Sequence, residues 1–257
     1  MERTYLCAPG SVPTFAAAVA EVERIRFFKG ALESKSKLHV TLGHATVLAE
    51  VLFFGRPRGE VPRGGSAAFD LDREYEYLPA LADPRRSAAG GEEGEDGARD
   101  AWALLRFERP VTCPPDSLFI GSRLDFDIHS SACRLAVHGR LRGSVDSADP
   151  RALARLKVYK TKAREGVVDR VEKDGTTAVC KGLFKRETDL SPFVGMRVRT
   201  AGGNEGTIAS SFGKSGKFKV EFRAPLAPGD RTLTLEFKKY VFDPEKKAMH
   251  QPPPPPG

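Results

Sequence analysis

The segment SSFGKSGKFKVEF, Ser210 to Phe222, contains a Gly-Lys-Ser at 213–215, the ending of a phosphate-cradling P-loop. A P-loop also needs glycine five positions before Gly213, so that the intervening backbone N–H groups wrap one phosphate. Ile208 stands there instead. A P-loop opens a helix, whereas Lys217, Lys219 and Glu221 alternate with Phe218, Val220 and Phe222, the period of a half-buried strand. The glycines therefore predict a turn between two strands. Asp125 and Asp127 in LDFDIH would share one strand face, as paired carboxylates do. Nothing else in the sequence completes an acid–base site, and a solvated face or a salt bridge to Arg123 fits better. His39 and His44 differ by an odd number and would face opposite sides of a strand. His129 and His138 stand near turns without a spaced partner. Cys7, Cys113, Cys133 and Cys180 form no Cys-x-x-Cys and read as structural thiols of a reducing compartment. The nucleophile elbow Gly-x-Ser-x-Gly is absent. No catalytic constellation and no metal site is predicted.

What remains is charge. The 257 residues hold 41 Lys plus Arg against 34 Asp plus Glu, net +7. From Arg151 onward there are 22 basic and 12 acidic residues, net +10; residues 1–150 hold the other 19 and 22, net −3. Basic residues cluster at Lys157, Lys160, Lys162 and Arg164, at Lys181, Lys185 and Arg186, and at Lys214, Lys217 and Lys219. Such clusters on adjacent strands suit a surface that neutralises phosphates; a solvated barrel face is the other reading. Phosphate contacts position a nucleic acid without reading its sequence, so the pattern does not separate RNA from DNA. Nothing resembles a signal peptide or a membrane span.

The elements that would carry these side chains are strands. VAEVERIRFF, KLHVTLGHATVLAEVLFFG, AWALLRFERPVTC and LFIGSRLDFDIHSSACRLAVHGRLRG precede a linker at Asp146–Arg155. LKVYKTK, EGVVDRVEKDGTTAVCKG, VGMRVRTAGG, EGTIASSF, GKFKVEF and RTLTLEFKKYVFD follow it. Asp174-Gly175 signals a hairpin, and LFKRETDLSPF, Leu183 to Phe193, predicts a loop or a helical turn. The acidic, glycine-rich RRSAAGGEEGEDGARD is too polar to offset its ordering entropy. Residues 56–100 are expected to be a long, mostly flexible insertion around this disordered acidic run. Long strands at short intervals with almost no helical period predict an all-β protein of two β-barrels in tandem.

Nine segments occur in an order that carries a resemblance: APGSV, FFKGALESKSKLHVTLGHATVLAEVLFF, WALLRFERPVTC, IGSRLDFDIHSSACRLAVHG, RLKVYK, LFKRET, FVGMRV, FGKSGKFKV and FKKYVFD. Together they resemble the C-terminal part of the eukaryotic selenocysteine-specific elongation factors, the SelB-type relatives of elongation factor Tu. The match spans the chain apart from the acidic insertion and the proline tail. The resemblance implies that residues 1–8 end a strand of domain two, that 9–150 form the elongation-factor domain-three barrel, and that 155–245 form the domain-four barrel. Residues 246–257 are expected to be a disordered, proline-rich tail. GTP and Mg²⁺ would bind a missing GTPase domain, so this chain is expected to hold no cofactor and to catalyse nothing.

The resemblance further implies that domain three lies along selenocysteinyl-tRNA. FFKGALESKSK then offers Lys29, Lys35 and Lys37, and CRLAVHG with its preceding turn offers Arg134 and His129. In domain four, the matching motifs offer Lys185, Arg186, Lys214, Lys217 and Lys219. The implied partners are selenocysteinyl-tRNA, the SECIS-binding protein and the ribosome, with no membrane. The implied protein is a cytoplasmic monomer in the service of selenocysteine incorporation, with the nucleus as the alternative location. The rival reading is a protein-interaction module that docks on the SECIS-binding protein without touching tRNA.

Overall fold

The structure is a computed structural model that describes residues 8, 10–57, 69–83, 100–125, 132–146, 148–213, 216–227, 229–243 and 249–251. It divides into two compact units, Met1–Val158 and Tyr159–Gly257. The expected domain-two strand end at residues 1–8, apart from Ala8, the acidic run at 84–99 and the tail from 252 to 257 lie outside the described residues.

The first unit contains β1 (Thr14–Arg24), β2 (Ser36–Leu42), β3 (Ala45–Gly55), β4 (Tyr75–Tyr77), β5 (Ala101–Thr112), β6 (Leu118–Ser122) and β7 (Leu135–Ser144). Antiparallel pairing runs β1–β5–β3–β2–β6–β7 and returns to β1, which closes a six-stranded barrel. Closure removes the unpaired edges that would invite aggregation. On β2 the period of two puts Leu38, Val40 and Leu42 inside and leaves Lys37, His39 and Thr41 outward. The interior is filled by these residues with Ala18, Ala20, Val51, Phe53, Ala103, Leu105, Phe119 and Val137. Val51–Gly55 of β3 and Ala101–Leu105 of β5 read as continuous apolar runs because there the strands are buried on both faces. Outside the barrel wall, Phe54 and Trp102 join Phe69 and Tyr75, with neighbouring ring centroids between 5.1 and 6.4 Å apart.

That aromatic layer gives the insertion, expected to be mostly flexible over 56–100, an ordered part. Residues 69–83 form an ordered strap, in which β4 pairs with the end of β3 and the Tyr75 hydroxyl donates to the Asp70 carbonyl at 2.9 Å. Phe69, Tyr75, Leu78 and Leu81 give this stretch the apolar surface that the acidic run lacks. The strands flanking the excursion are held by Arg56 and Asp100, whose guanidinium and carboxylate meet at 2.7 Å.

A short helix, α1 (Pro150–Ala154), occupies the predicted linker and is capped by Asp149, whose Oδ1 accepts from the Arg151 N–H at 2.8 Å. The second unit is built on β8 (Val158–Val171), β9 (Thr177–Lys181), β10 (Arg197–Thr200), β11 (Glu205–Phe212), β12 (Lys217–Phe222), β13 (Thr232–Tyr240) and β14 (Met249–His250). The order β8–β9–β12–β11–β10–β13, returning to β8, closes a second antiparallel six-stranded barrel. Phe193, Ile208, Phe218, Val220, Leu233 and Leu235 fill it. Asp174 accepts from the Thr177 N–H at 3.1 Å beside Gly175 at φ +73°, the expected hairpin turn. The stretch 183–193 is a loop ending in a 3₁₀ turn at Ser191–Phe193. The tail expected to be disordered from 246 instead contributes β14, which pairs with β13 at Lys238 and Lys239. Gln251 fastens it, donating to the carbonyls of Arg197 and Glu236 at 2.7 and 2.8 Å.

Candidate nucleic-acid interface

The loop 25–35 joins β1 to β2 and carries two of the candidate lysines. Arg24, the last residue of β1, organises it. Its side chain is 7 % exposed, and its guanidinium donates to the carbonyls of Gly30 at 2.7 Å and of Phe28 and Leu81 at 3.2 Å. The Asp83 carboxylate lies 3.6 Å away. Phe28 and Leu32 are buried under the loop. Ser34 ties its far end, donating to the Leu78 carbonyl at 2.6 Å and accepting from the Phe53 N–H at 2.8 Å. Backbone bonds from Leu81 to Leu32 and from Ser34 to Pro79, both 2.8 Å, join the loop to the strap. Lys35 is held at φ +73°, a left-handed conformation that costs a side-chain-bearing residue about 1–2 kcal/mol. The outcome is a loop fixed along its length, with Phe27, Lys29 and Lys35 on its exposed surface.

Barrel closure brings Arg134 to the same end. Val137 pairs with Arg24, and the Ile25 N–H donates to the Ala136 carbonyl at 2.9 Å, so the start of β7 runs beside the start of the loop. Lys37 also lies at this end but bonds Glu108 Oε1 at 2.8 Å, and that hydrogen bond raises its pKa. The pair is solvent-exposed and can be exchanged for a phosphate. His129 lies outside the described residues.

The second unit departs from the expected phosphate grip. Lys181 and Lys217 both bond Asp169, at 2.6 and 2.8 Å, and Lys219 bonds Glu172 at 2.9 Å. Three lysines thus meet two carboxylates, Asp169 on β8 and Glu172 just past its end. The Asp169 carboxyl is lowered to about 2, first by the hydrogen bond from Lys181 and then by that from Lys217. Arg164 is likewise no surface cation. Its guanidinium carbon lies 5.2–5.7 Å from the ring centroids of Phe193, Phe237 and Phe184, and it donates to the Leu183 carbonyl at 3.3 Å.

Lys185 and Arg186 are exposed and have no ionic partner among the described residues. The glycines of the failed P-loop do form a turn, Gly213 at φ +69° and Gly216 at φ +74°. A β-carbon on Gly216 would stand 2.8 Å from the Phe184 carbonyl oxygen, so this turn packs on the backbone just before Lys185. A polar recess of about 260 Å³ opens there, lined by Arg186, Thr188, Asp189, Ser191, Ser211 and Gly213 among others. Lys214 lies outside the described residues.

The same geometry bears on catalysis. Among the described residues, no group of three or more His, Cys, Asp or Glu is arranged to hold a metal, and no helix is long and apolar enough to cross a membrane. Burial pushes the Cys113 thiol up and the Cys180 thiol to about 12, which leaves both protonated and weakly nucleophilic at neutral pH.

Asp169 also sets an acid limb of stability. Its folded pKa lies below the ordinary 3.8, so its contribution is present above about pH 4 and is lost as pH falls towards 2. Asp169→Asn is expected to flatten the change in stability across that window, read by urea unfolding at pH 2.5 and pH 5. An acid limb as steep as that of the parent would show that other carboxylates carry it.

Comparison with known proteins gives the lineage. Residues 19–139 match the family model for the third domain of the eukaryotic selenocysteine-specific elongation factor. Residues 154–232 match that for the eEFSec C-terminal RIFT domain. The mouse selenocysteine-specific elongation factor is 38 % identical over 304 aligned residues, covering 98 % of this chain and 52 % of the mouse protein. Two structures of the translation elongation factor SelB of Methanococcus maripaludis share the fold at 20 % identity. The apo form superimposes with a TM-score of 0.56 over 90 % of this chain and 43 % of that one. The complex with the GTP analogue GppNHp gives 0.57 over 89 % and 43 %. The chain thus spans about half the length of the mouse relative. By two family models in succession and by its mouse relative, the chain belongs to the eukaryotic selenocysteine-specific elongation factors, of which it carries the third domain followed by the C-terminal RIFT domain.

Proposed function

We propose that this chain is a noncatalytic tRNA-holding half of a selenocysteine elongation factor. The fixed loop 25–35 carries the reading: it presents Lys29 and Lys35 beside Arg134 on a scaffold that needs no reordering on contact. Those cations, with Lys37 after exchange from Glu108, grip phosphates of selenocysteinyl-tRNA. An A-form stem is recognised by shape and backbone rather than by its buried base edges. Lys185 and Arg186 make a second contact beside Gly213 and Gly216, to which Lys214 is assigned on the family motif alone. GTP and Mg²⁺ are assigned to family domains that this chain does not carry, and the protein acts as a cytosolic monomer at the ribosome.

A second reading applies to the β8–β9–β12 face. Lys217 and Lys219 are already matched by Asp169 and Glu172, and a balanced polar face suits a protein partner, the SECIS-binding protein, better than it suits RNA. The test is binding of the chain to selenocysteine tRNA and to an ordinary elongator tRNA, titrated over salt. The expected result is tighter binding to the former, with log K falling linearly against log salt by roughly 0.7–0.9 per phosphate contact. Binding that ignores salt, or no binding, sinks the tRNA reading. Asp169→Asn releases Lys181 and Lys217; a steeper salt slope in that variant would return this face to RNA, and an unchanged slope would leave it to the protein partner.

A further inference from the structure

Phe27 sits in the loop 25–35 with 58 % of its surface exposed, while its neighbour Phe28 is 1 % exposed and anchors the chain beneath it. The guanidinium carbon of Arg26 lies over the Phe27 ring, 4.6 Å from its centroid, so a cation stacks on one face of the ring. Lys29, two residues on, is exposed and has no ionic partner among the described residues. The backbone behind the ring is held by the Arg24 bonds to the carbonyls of Phe28 and Gly30. A large apolar ring with a cation over one face is therefore displayed on an immobilised loop, and a second cation follows two residues on. Stacking surfaces for nucleobases have this composition: an aromatic face, arginine beside it and lysine for the adjacent phosphates.

We infer that Phe27 is a stacking platform for an unpaired nucleobase of the bound RNA, with Arg26 and Lys29 on the flanking phosphates. The inference rests on the tRNA reading above and deepens it. A grip made of lysines senses only the backbone. A stacked base adds a contact that a continuous duplex cannot supply, because its bases are stacked on each other. Phe27 would thus let the first barrel distinguish a tRNA from a plain stem.

The test uses the full chain with selenocysteine tRNA and with a blunt RNA duplex copied from one of its stems. Phe27→Ala is expected to lower tRNA affinity roughly tenfold, within the range for one stacked base, and to leave the salt slope unchanged because no charge is removed. Phe27→Trp is expected to keep the affinity, and Phe27→Ala to bind the blunt duplex like the parent. Lys29→Ala is expected to reduce the salt slope by about one on both RNAs. If Phe27→Ala binds tRNA within twofold of the parent while Lys29→Ala weakens it, the stacking inference is overturned and the tRNA reading stands. An equal loss on duplex and tRNA also overturns it, since the ring would then be packing on backbone. Failure of the parent chain to bind either RNA removes both.

Discussion

Gly139→Ala is expected to unfold the first barrel at low denaturant or to prevent its folding. Gly139 lies on β7, paired with Val22 of β1 on one side and Phe119 of β6 on the other. A β-carbon there would stand 1.8 Å from the Glu21 carbonyl oxygen and 2.9 Å from Phe119 Cε1. The nearer obstacle is backbone, which no rotamer change relieves. An open sheet would let an edge strand lean away, but β1 and β7 are the seam of a closed barrel, and moving one strains every pairing around the ring. The expected loss is about 4 kcal/mol or more, the exceptional end for single substitutions and a large share of a typical 5–15 kcal/mol. Trp102 is the sole tryptophan and lies in the first barrel, so its fluorescence in a urea titration reports that unit. Gly143→Ala on the same strand is the control: a β-carbon there meets nothing within 4 Å, and a change under about 0.5 kcal/mol is expected. Equal midpoints for the two variants would refute the close approach.

Arg24→Ala is the second large effect, and it should strike stability and binding together. The buried guanidinium serves three carbonyls and lies near Asp83. Hydrogen bonds to a charged donor contribute about 1.5–3 kcal/mol each, and losing a buried donor leaves its acceptors desolvated. A loss of roughly 3 kcal/mol is expected in the Trp102 transition. The loop 25–35 should open, so trypsin should cut after Lys29 and Lys35 faster than in the parent, and tRNA affinity should fall although no loop lysine has changed. Arg24→Lys is not expected to rescue it, because one ammonium cannot reproduce a planar fork aimed at separate carbonyls. Parent-like trypsin resistance in Arg24→Ala would mean that Ser34 and Phe28 hold the loop unaided.

Both effects come from positions with no local signature. Arg24 ends a strand before a loop, as many arginines do, and nothing near it in sequence announces carbonyls supplied by Gly30 and Leu81. Gly139 reads as one more glycine in a strand. The lysine clusters show the opposite case: Lys217 and Lys219 read as phosphate ligands until Asp169, 48 residues earlier, is found bonded to Lys217. Arg164 likewise moves from a basic run onto three phenylalanine rings.

Features that depend on neighbours along the chain were legible before folding. Alternating residues specified strands, glycines at 175, 213 and 216 specified turns, the spacing before Gly213 excluded a P-loop, and ordered motifs specified the family. Features that depend on strand register emerged with the folded barrels, and the fold made four of them. It paired Asp169 with two lysines, set Arg134 beside the loop 25–35, ordered the strap 69–83 on Trp102, and drew β14 onto β13. Register is chosen by the packing of a whole closed barrel, since a slip of one residue turns every side chain to the opposite face. Which cations remain available to a phosphate is therefore a property of the closed barrel rather than of any segment within it.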